Sequence, residues 1–348
     1  MKHRVTVEGV FSLEGGGALR DVEVEVRSWG RHRGNATLIC HALTGSADAD
    51  EWWSGLFGAG RLFDSSDAHI VAMNVRGSVY GTTGPASLGP TGEPYGAAFP
   101  DVTIRDMVRL QQEVLHQLGI ERLDLVIGGS RGGMQALEWA AMYPAMVDTI
   151  VPIGDGAAQS AGAIGLSETQ RRAIVPDPAW EGGWYAPGEG PVDGLATARM
   201  IAMMSYRSHE SLNGRFGRTA QDGRFAVQSY LRHHGSRLVE RFDANAYLTL
   251  IGAMDSHDLG RGRGPLEAVL RRSRSKALVV GISTDVLYPG SEVRAVADRL
   301  PNAEFAVLDS AHGHDGVLID VDDLNRIVLG FIHDRAPLEV HGHGAAWA

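Results

Sequence analysis

The chain has 348 residues, a net charge of −10 and one cysteine. That length exceeds the usual single domain and falls short of three, and the acidic balance leaves no basic stripe to neutralise a nucleic-acid backbone. A lone thiol makes no internal disulfide, the N-terminal residues lack the apolar core of a signal peptide, and no apolar run nears the ~20 residues of a membrane span. A soluble cytoplasmic protein, with neither nucleic acid nor membrane as partner, is the expectation.

Early in the chain, "DVEVEVRSWG" (21–30) alternates like an exposed-edge strand. Short apolar runs follow at 36–41, 69–75, 123–129, 148–154, 276–282 and 304–310, the signature of parallel strands buried on both faces. Helical patterns at 103–119 and 291–301 separate them, and strands alternating with helices predict a mostly parallel sheet covered on both sides. Between about Gly156 and Leu270 the strand rhythm stops and helical stretches take over. The predicted division is a core formed by 1–155 and 271–338, a helical lid over 156–270, and a loose C-terminal tail over 339–348.

The run "LVIGGSRGGM" (125–134) ends a strand on two glycines, one serine and two further glycines before a helical stretch. Strand, G-x-S-x-G turn and immediate helix form a nucleophile elbow, in which a strained serine is thrust to the top of the sheet and small neighbours let strand and helix approach. The pentapeptide alone also suits a phosphate-binding or merely turning loop. A serine nucleophile needs a base and the base an orienting acid, in the chain order Ser, acid, His. Asp285 follows the 276–282 strand in "STDVLYP". His312 and His314 follow the 304–310 strand in "AHGHDGVL". Ser130, Asp285 and one of these histidines therefore form the candidate triad. Asp309 competes as the acid but ends a strand, and the histidine pair read as metal ligands lacks a third ligand. The Arg131 amide at the helix N-terminus and the Leu43 amide in "LICHALTGS" are the candidate oxyanion donors. Cys40 reads as core.

With these residues in place, the sequence resembles the homoserine O-acetyltransferases of the α/β-hydrolase fold. The matching pieces include "HALTGSADADEWW", "YGTTGPASLGPTGEPYGAAFPDVTIRDMVRLQ", "GGSRGGMQALEWAAMYP", "ARMIAMMSYRS", "STDVLYP" and "GHDGVL". The resemblance implies the α/β-hydrolase fold with a helical lid and the triad Ser130, Asp285 and His314. It also implies a homodimer and a ping-pong acyl transfer from acetyl-CoA, a co-substrate where no permanent cofactor is expected. It assigns Arg199 to the homoserine carboxylate and Asp315 to its ammonium. Arg199 lies on an otherwise apolar helical stripe, where a guanidinium is either snorkelling or holding an anion. Tyr206, seven residues on, and Thr44 are further candidates for lining the pocket, and Asp315 has the alternative of capping a helix. Two residues depart from the family pattern, which is usually apolar at Arg131 and Arg76. A cation there would welcome a carboxylate-bearing acyl group such as succinyl, so succinyl transfer, like ester hydrolysis on the same scaffold, stands as an alternative.

Overall fold

The computed structural model describes residues 1–333; the predicted tail lies outside them. Eight strands build the central sheet: β1 (Lys2–Ser12), β2 (Ala18–Trp29), β3 (Asn35–Cys40), β4 (Ile70–Met73), β5 (Arg122–Gly129), β6 (Thr149–Ile153), β7 (Lys276–Ile282) and β8 (Ala303–Leu308). Their spatial order is β1-β2-β4-β3-β5-β6-β7-β8. β1 pairs antiparallel with β2 and β2 with β4, and every pairing from β4 to β8 is parallel.

All six apolar runs expected to be strands are strands. The 21–30 segment is also a strand but not an edge: β2 is hydrogen-bonded on both sides, and β1 takes the edge. The residues that looked solvent-facing are used instead for cross-strand charge pairing, with buried Glu25 held by Lys2 and Arg4 of β1.

The strands divide their side chains strictly between two faces, as the two-residue pleat demands. Leu38, Val126, Ile150 and Val279 pack on one face with residues of the helices Ile104–Gln117, Arg131–Met142 and Gly290–Ala297. Their neighbours Ile39, Ile127, Val151 and Val280 pack on the other, against Trp53, Phe63 and the helix Val321–Ile332. Covering both faces is what makes these strands continuously apolar.

The Ile104–Gln117 helix starts on a capping box. The Thr103 hydroxyl accepts the Asp106 amide at 3.2 Å, and the Asp106 carboxylate accepts the Thr103 amide at 3.1 Å. In the same first turn, Arg105 enters a buried charge cluster. Glu138 is 1% exposed and pairs with Arg105 at 3.0 Å and Arg263 at 2.7 Å, while Arg105 also reaches Glu14 at 2.7 Å. Burial raises the Glu138 pKa, against the pull of both arginines. The cluster ties the β1–β2 turn, two helices and the segment before β7 together.

Residues 156–270 add no strand to the central sheet; a two-residue hairpin at Ala220–Gln221 and Arg224–Phe225 stands apart from it. Their longer helices are Ala161–Ile174, Val192–Tyr206, His209–Phe216, Ala226–Val239 and Ala244–Asp255.

Replacing Glu138 by Ala strips Arg263 of its carboxylate and leaves Arg105 with Glu14 alone. A loss of about 3–5 kcal/mol is expected, as when one partner of a buried pair is removed, measured as a lowered urea midpoint at unchanged m-value.

Candidate active site

The elbow explains its own glycines. Ser130 holds φ 57° and ψ −126°, a backbone state that costs a side-chain-bearing residue roughly 1–3 kcal/mol and persists only under tight packing. That packing is the approach of the Arg131–Met142 helix to β3. A Cβ on Gly132 would sit 2.1 Å from the Cys40 carbonyl oxygen, and one on Gly128 would sit 2.5 Å from the same atom. No larger residue fits either place. The Ser130 amide donates to the Ile153 carbonyl at 2.8 Å, locking the elbow to the end of β6.

The residue that follows β6 leads to the other two members of the set. Gly154 lies against both Asp285 Oδ2 and His314 Cε1, where an added Cβ would be 3.4 and 3.5 Å away. Asp285 and His314 thus meet beside the elbow across β6. His314 Nδ1 and Asp285 Oδ2 are 2.6 Å apart, and Asp285 Oδ1 accepts the amides of Leu287 at 2.8 Å and Tyr288 at 3.1 Å. Ser130, Asp285 and His314 are all buried. With Nδ1 committed to the carboxylate, the Nε2 face of the ring is left for chemistry. Burial opposes charging the imidazole, but the Asp285 carboxylate, its hydrogen bond and then Asp315 outweigh it, and the His314 pKa is raised above 6.5. His312 goes elsewhere: its Nδ1 lies 3.2 Å from Ser211 Oγ. Asp309 is also separate, accepting from Ser283 Oγ at 3.0 Å.

Around His314 the helical segment supplies a charged, aromatic rim. The Tyr206 ring packs 5.6 Å from the imidazole, and the Arg199 guanidinium lies 5.4 Å from the Tyr206 ring centroid. Asp315 pairs with Arg207 at 3.6 Å. Burial raises the Asp315 pKa, with His314, Arg199 and Arg207 pulling the other way. The structure therefore brings Arg199, Tyr206 and Asp315 together as the sequence suggested. It adds Arg207, which is buried, and Tyr288, also buried, whose ring packs 5.5 Å from His314. Tyr230 and His234 join through the fields of Arg199 and Arg207; burial, then Arg199, lowers the His234 pKa to about 4. Arg207 had a legible signal, since it is the penultimate residue of the "ARMIAMMSYRS" motif. Tyr288 had one too, three residues beyond Asp285.

Two expectations about cations are corrected. The Arg131 side chain does not enter the space above Ser130. It turns under the His41–Gly45 loop, fully buried, and donates to the Ala42 carbonyl at 2.9 Å. Arg76 is equally buried and stacks 3.7 Å from the Phe11 ring, between β1 and the Ile104–Gln117 helix. Neither guanidinium is placed to receive a carboxylate on an acyl group. Leu43 is buried in the loop above Arg131. Among the described residues, neither its amide nor that of Arg131 donates to a protein acceptor. Thr44 is turned to the helical segment, with its carbonyl accepting from Arg241 at 2.8 Å. Cys40 is buried core, as expected.

A strained serine between strand and helix, with an acid–histidine pair beyond later strands, defines an α/β-hydrolase-fold enzyme, and the comparisons agree. The family model for the alpha/beta hydrolase fold matches residues 35–318. A homoserine O-acetyltransferase of Trichormus variabilis is 54% identical over 327 residues, covering 92% of this chain and 91% of the relative. The crystal structure of homoserine O-acetyltransferase from Bacillus anthracis superposes with a TM-score of 0.88 at 26% identity, covering 95% of this chain and 97% of that one. Esterase E22 superposes with a TM-score of 0.87, also at 26% identity, covering 95% and 100%. The chain belongs to the homoserine O-acetyltransferase family.

The raised His314 pKa fixes the sign of one pH effect. A histidine that must be neutral to accept a proton loses activity as pH falls through its pKa, so the acid limb lies above pH 6.5. Asp315→Asn removes one carboxylate that favours the imidazolium and moves that limb to lower pH. Acetylation of Ser130 by p-nitrophenyl acetate, followed across pH, reads the shift without involving an acceptor.

Proposed function

We propose that this chain transfers an acetyl group from acetyl-CoA to the hydroxyl of L-homoserine through an acetyl-Ser130 intermediate. His314, oriented by Asp285, takes the Ser130 proton as Oγ attacks the thioester carbonyl. The amides of Leu43 and Arg131 receive the oxyanion, each donor worth roughly 3–4 kcal/mol of barrier. The C–S bond breaks and CoA leaves as the thiol, with the proton returned by His314. Homoserine then enters; His314 takes its hydroxyl proton, the oxygen attacks the acetyl carbon, and collapse of the second oxyanion releases O-acetylhomoserine and restores Ser130.

The observation that carries the reading is the rim of opposite charges beside the base. An α-amino acid is a zwitterion, and Arg199 and Asp315 offer a cation and an anion within one helix-and-turn assembly around His314 and Tyr206. A guanidinium suits the carboxylate by its fork. A simple ester needs neither charge. Residues 156–270 act in this reading as a lid over the core, bearing Arg199 and excluding water from the acyl-enzyme. On family grounds the enzyme works as a cytoplasmic homodimer in methionine biosynthesis, with acetyl-CoA as co-substrate and no resident cofactor. With Arg131 and Arg76 committed elsewhere, acetyl is favoured over succinyl.

The test is thiol release from acetyl-CoA with and without L-homoserine, with succinyl-CoA and L-serine as comparators. Release that requires homoserine and acetyl-CoA is expected, and Ser130→Ala abolishes it. Arg199→Ala raises the homoserine KM by about 30-fold or more, the lower end of the ~2–5 kcal/mol lost when one partner of a buried charge pair is truncated, while acetylation of Ser130 keeps its rate. Release of equal rate without acceptor would make the chain a hydrolase, the activity named for its structural neighbour esterase E22.

A further inference from the structure

Arg131 is a cation in an expensive place. It is fully buried, has no carboxylate partner among the described residues, and burial lowers its pKa to about 9, so at neutral pH the charge remains. Its Nη1 reaches only the Met107 sulfur, at 3.3 Å. Its Nη2 lies 2.9 Å from the Ala42 carbonyl oxygen, 3.3 Å from the His41 carbonyl oxygen and 3.1 Å from His41 Nδ1.

The histidine contact resolves by elimination. His41 Nε2 accepts the Val75 amide at 3.2 Å, and burial pushes the ring pKa down to about 3, so the ring is neutral and carries its proton on Nδ1. Nδ1 then donates to the Ala42 carbonyl at 2.9 Å and has no lone pair for the guanidinium. The acceptors left to Arg131 are the two loop carbonyls. The Ala42 oxygen also receives the Gly45 amide at 3.1 Å, which closes the turn. Donors thus converge on one carbonyl.

That carbonyl belongs to the peptide unit whose other end is the Leu43 N–H. The unit is trans, so the two groups point in opposite directions. Donation to the oxygen fixes the plane of the amide and polarises it, making the N–H a stronger donor on the opposite side. The backbone N–H of Arg131 is itself the partner donor. We propose that the Arg131 side chain is a positioning group for the oxyanion hole: by holding the Ala42–Leu43 peptide from below, it sets the distance and aim of the Leu43 N–H relative to its own. One residue then supplies one donor through its backbone and orients the other through its side chain. The inference rests on the proposed role of these two amides, not on the identity of the acceptor substrate.

The experiment uses Arg131→Met and Arg131→Lys in the full-length enzyme, with the p-nitrophenol burst from p-nitrophenyl acetate as the readout. That burst reports Ser130 acetylation whatever the acceptor is, so an error in the homoserine reading leaves the test intact. Removing the cation from a core that gives it no counter-ion is expected to leave the melting temperature equal or higher. The acetylation rate falls by about 10-fold, less than the roughly 10²–10³ lost on deleting an oxyanion donor. KM for the ester is unchanged, and affinity for a phenylboronic acid, whose adduct on Ser130 places an oxygen at the oxyanion position, falls by the same factor. The lysine variant, which retains one donor, recovers part of both losses. A folded Arg131→Met with an acetylation rate within twofold of the parent would overturn the proposal, as would a rate loss with boronate affinity untouched. If the methionine variant does not fold, the lysine variant decides: a rate loss not mirrored in boronate affinity contradicts the positioning role.

Discussion

The active site depends on the tight approach of Gly132 to the Cys40 carbonyl, where an added Cβ would lie 2.1 Å from the oxygen. The space left there is smaller than a methyl group. Because β5 and the helix after it are also pressed together at Gly128 and Gly132, the residue joining them turns through a left-handed backbone state, and Ser130 is held there by its amide's bond to Ile153. The strain is local; the sheet that absorbs it is not. Parallel pairing of β3, β5 and β6, each buried on both faces, makes the elbow a rigid feature instead of a mobile loop.

The same approach organises the rest of the site. It sets the Arg131–Met142 helix directly under the His41–Gly45 loop, so that the Arg131 side chain reaches the loop's carbonyls. It places β6, and hence Gly154, against the Asp285–His314 pair. A second close contact joins this core to the helical segment. Gly313, at φ 69°, sits where a Cβ would be 2.6 Å from the Ser208 amide nitrogen and 2.8 Å from the Tyr206 carbonyl oxygen, and Ser208 bonds the Ala311 carbonyl. The turn that carries His314 and Asp315 is therefore packed onto the end of the Val192–Tyr206 helix that carries Arg199. Movement of that helix would be felt at the base, which couples the helical segment to the triad.

How much of this could be read in advance follows from how local each signal is. The parallel strands were legible because burial on both faces leaves short unbroken apolar runs. Ser130 and Asp285 were legible because the fold fixes their chain order and their places past strand ends; the same logic left His312 and His314 open, and only the family resemblance chose His314. β1 was missed as a strand because its alternation is interrupted by a bulge at Val7–Val10 around Gly9, and without β1 the neighbouring β2 looked like an edge. The fate of the Arg131 side chain was beyond reach. Its partners lie 89 and 90 residues earlier in the chain, and no local pattern says whether a guanidinium beside the nucleophile turns up into the pocket or down beneath a loop. Arg207 and Tyr288 sat inside motifs already recognised, but their roles depend on ring and charge contacts that only the packed structure displays.

The central claim is that this arrangement makes Ser130 a carrier of the acyl group between two substrates. Intact-protein mass spectrometry after mixing the enzyme with acetyl-CoA alone tests it most directly. A gain of one acetyl group, mapped to the peptide containing Ser130 and discharged on adding L-homoserine, is the predicted result. Failure of any acetyl adduct to form, while acetyl-CoA and homoserine together still give product, would mean direct transfer without an acyl-enzyme and would contradict the account.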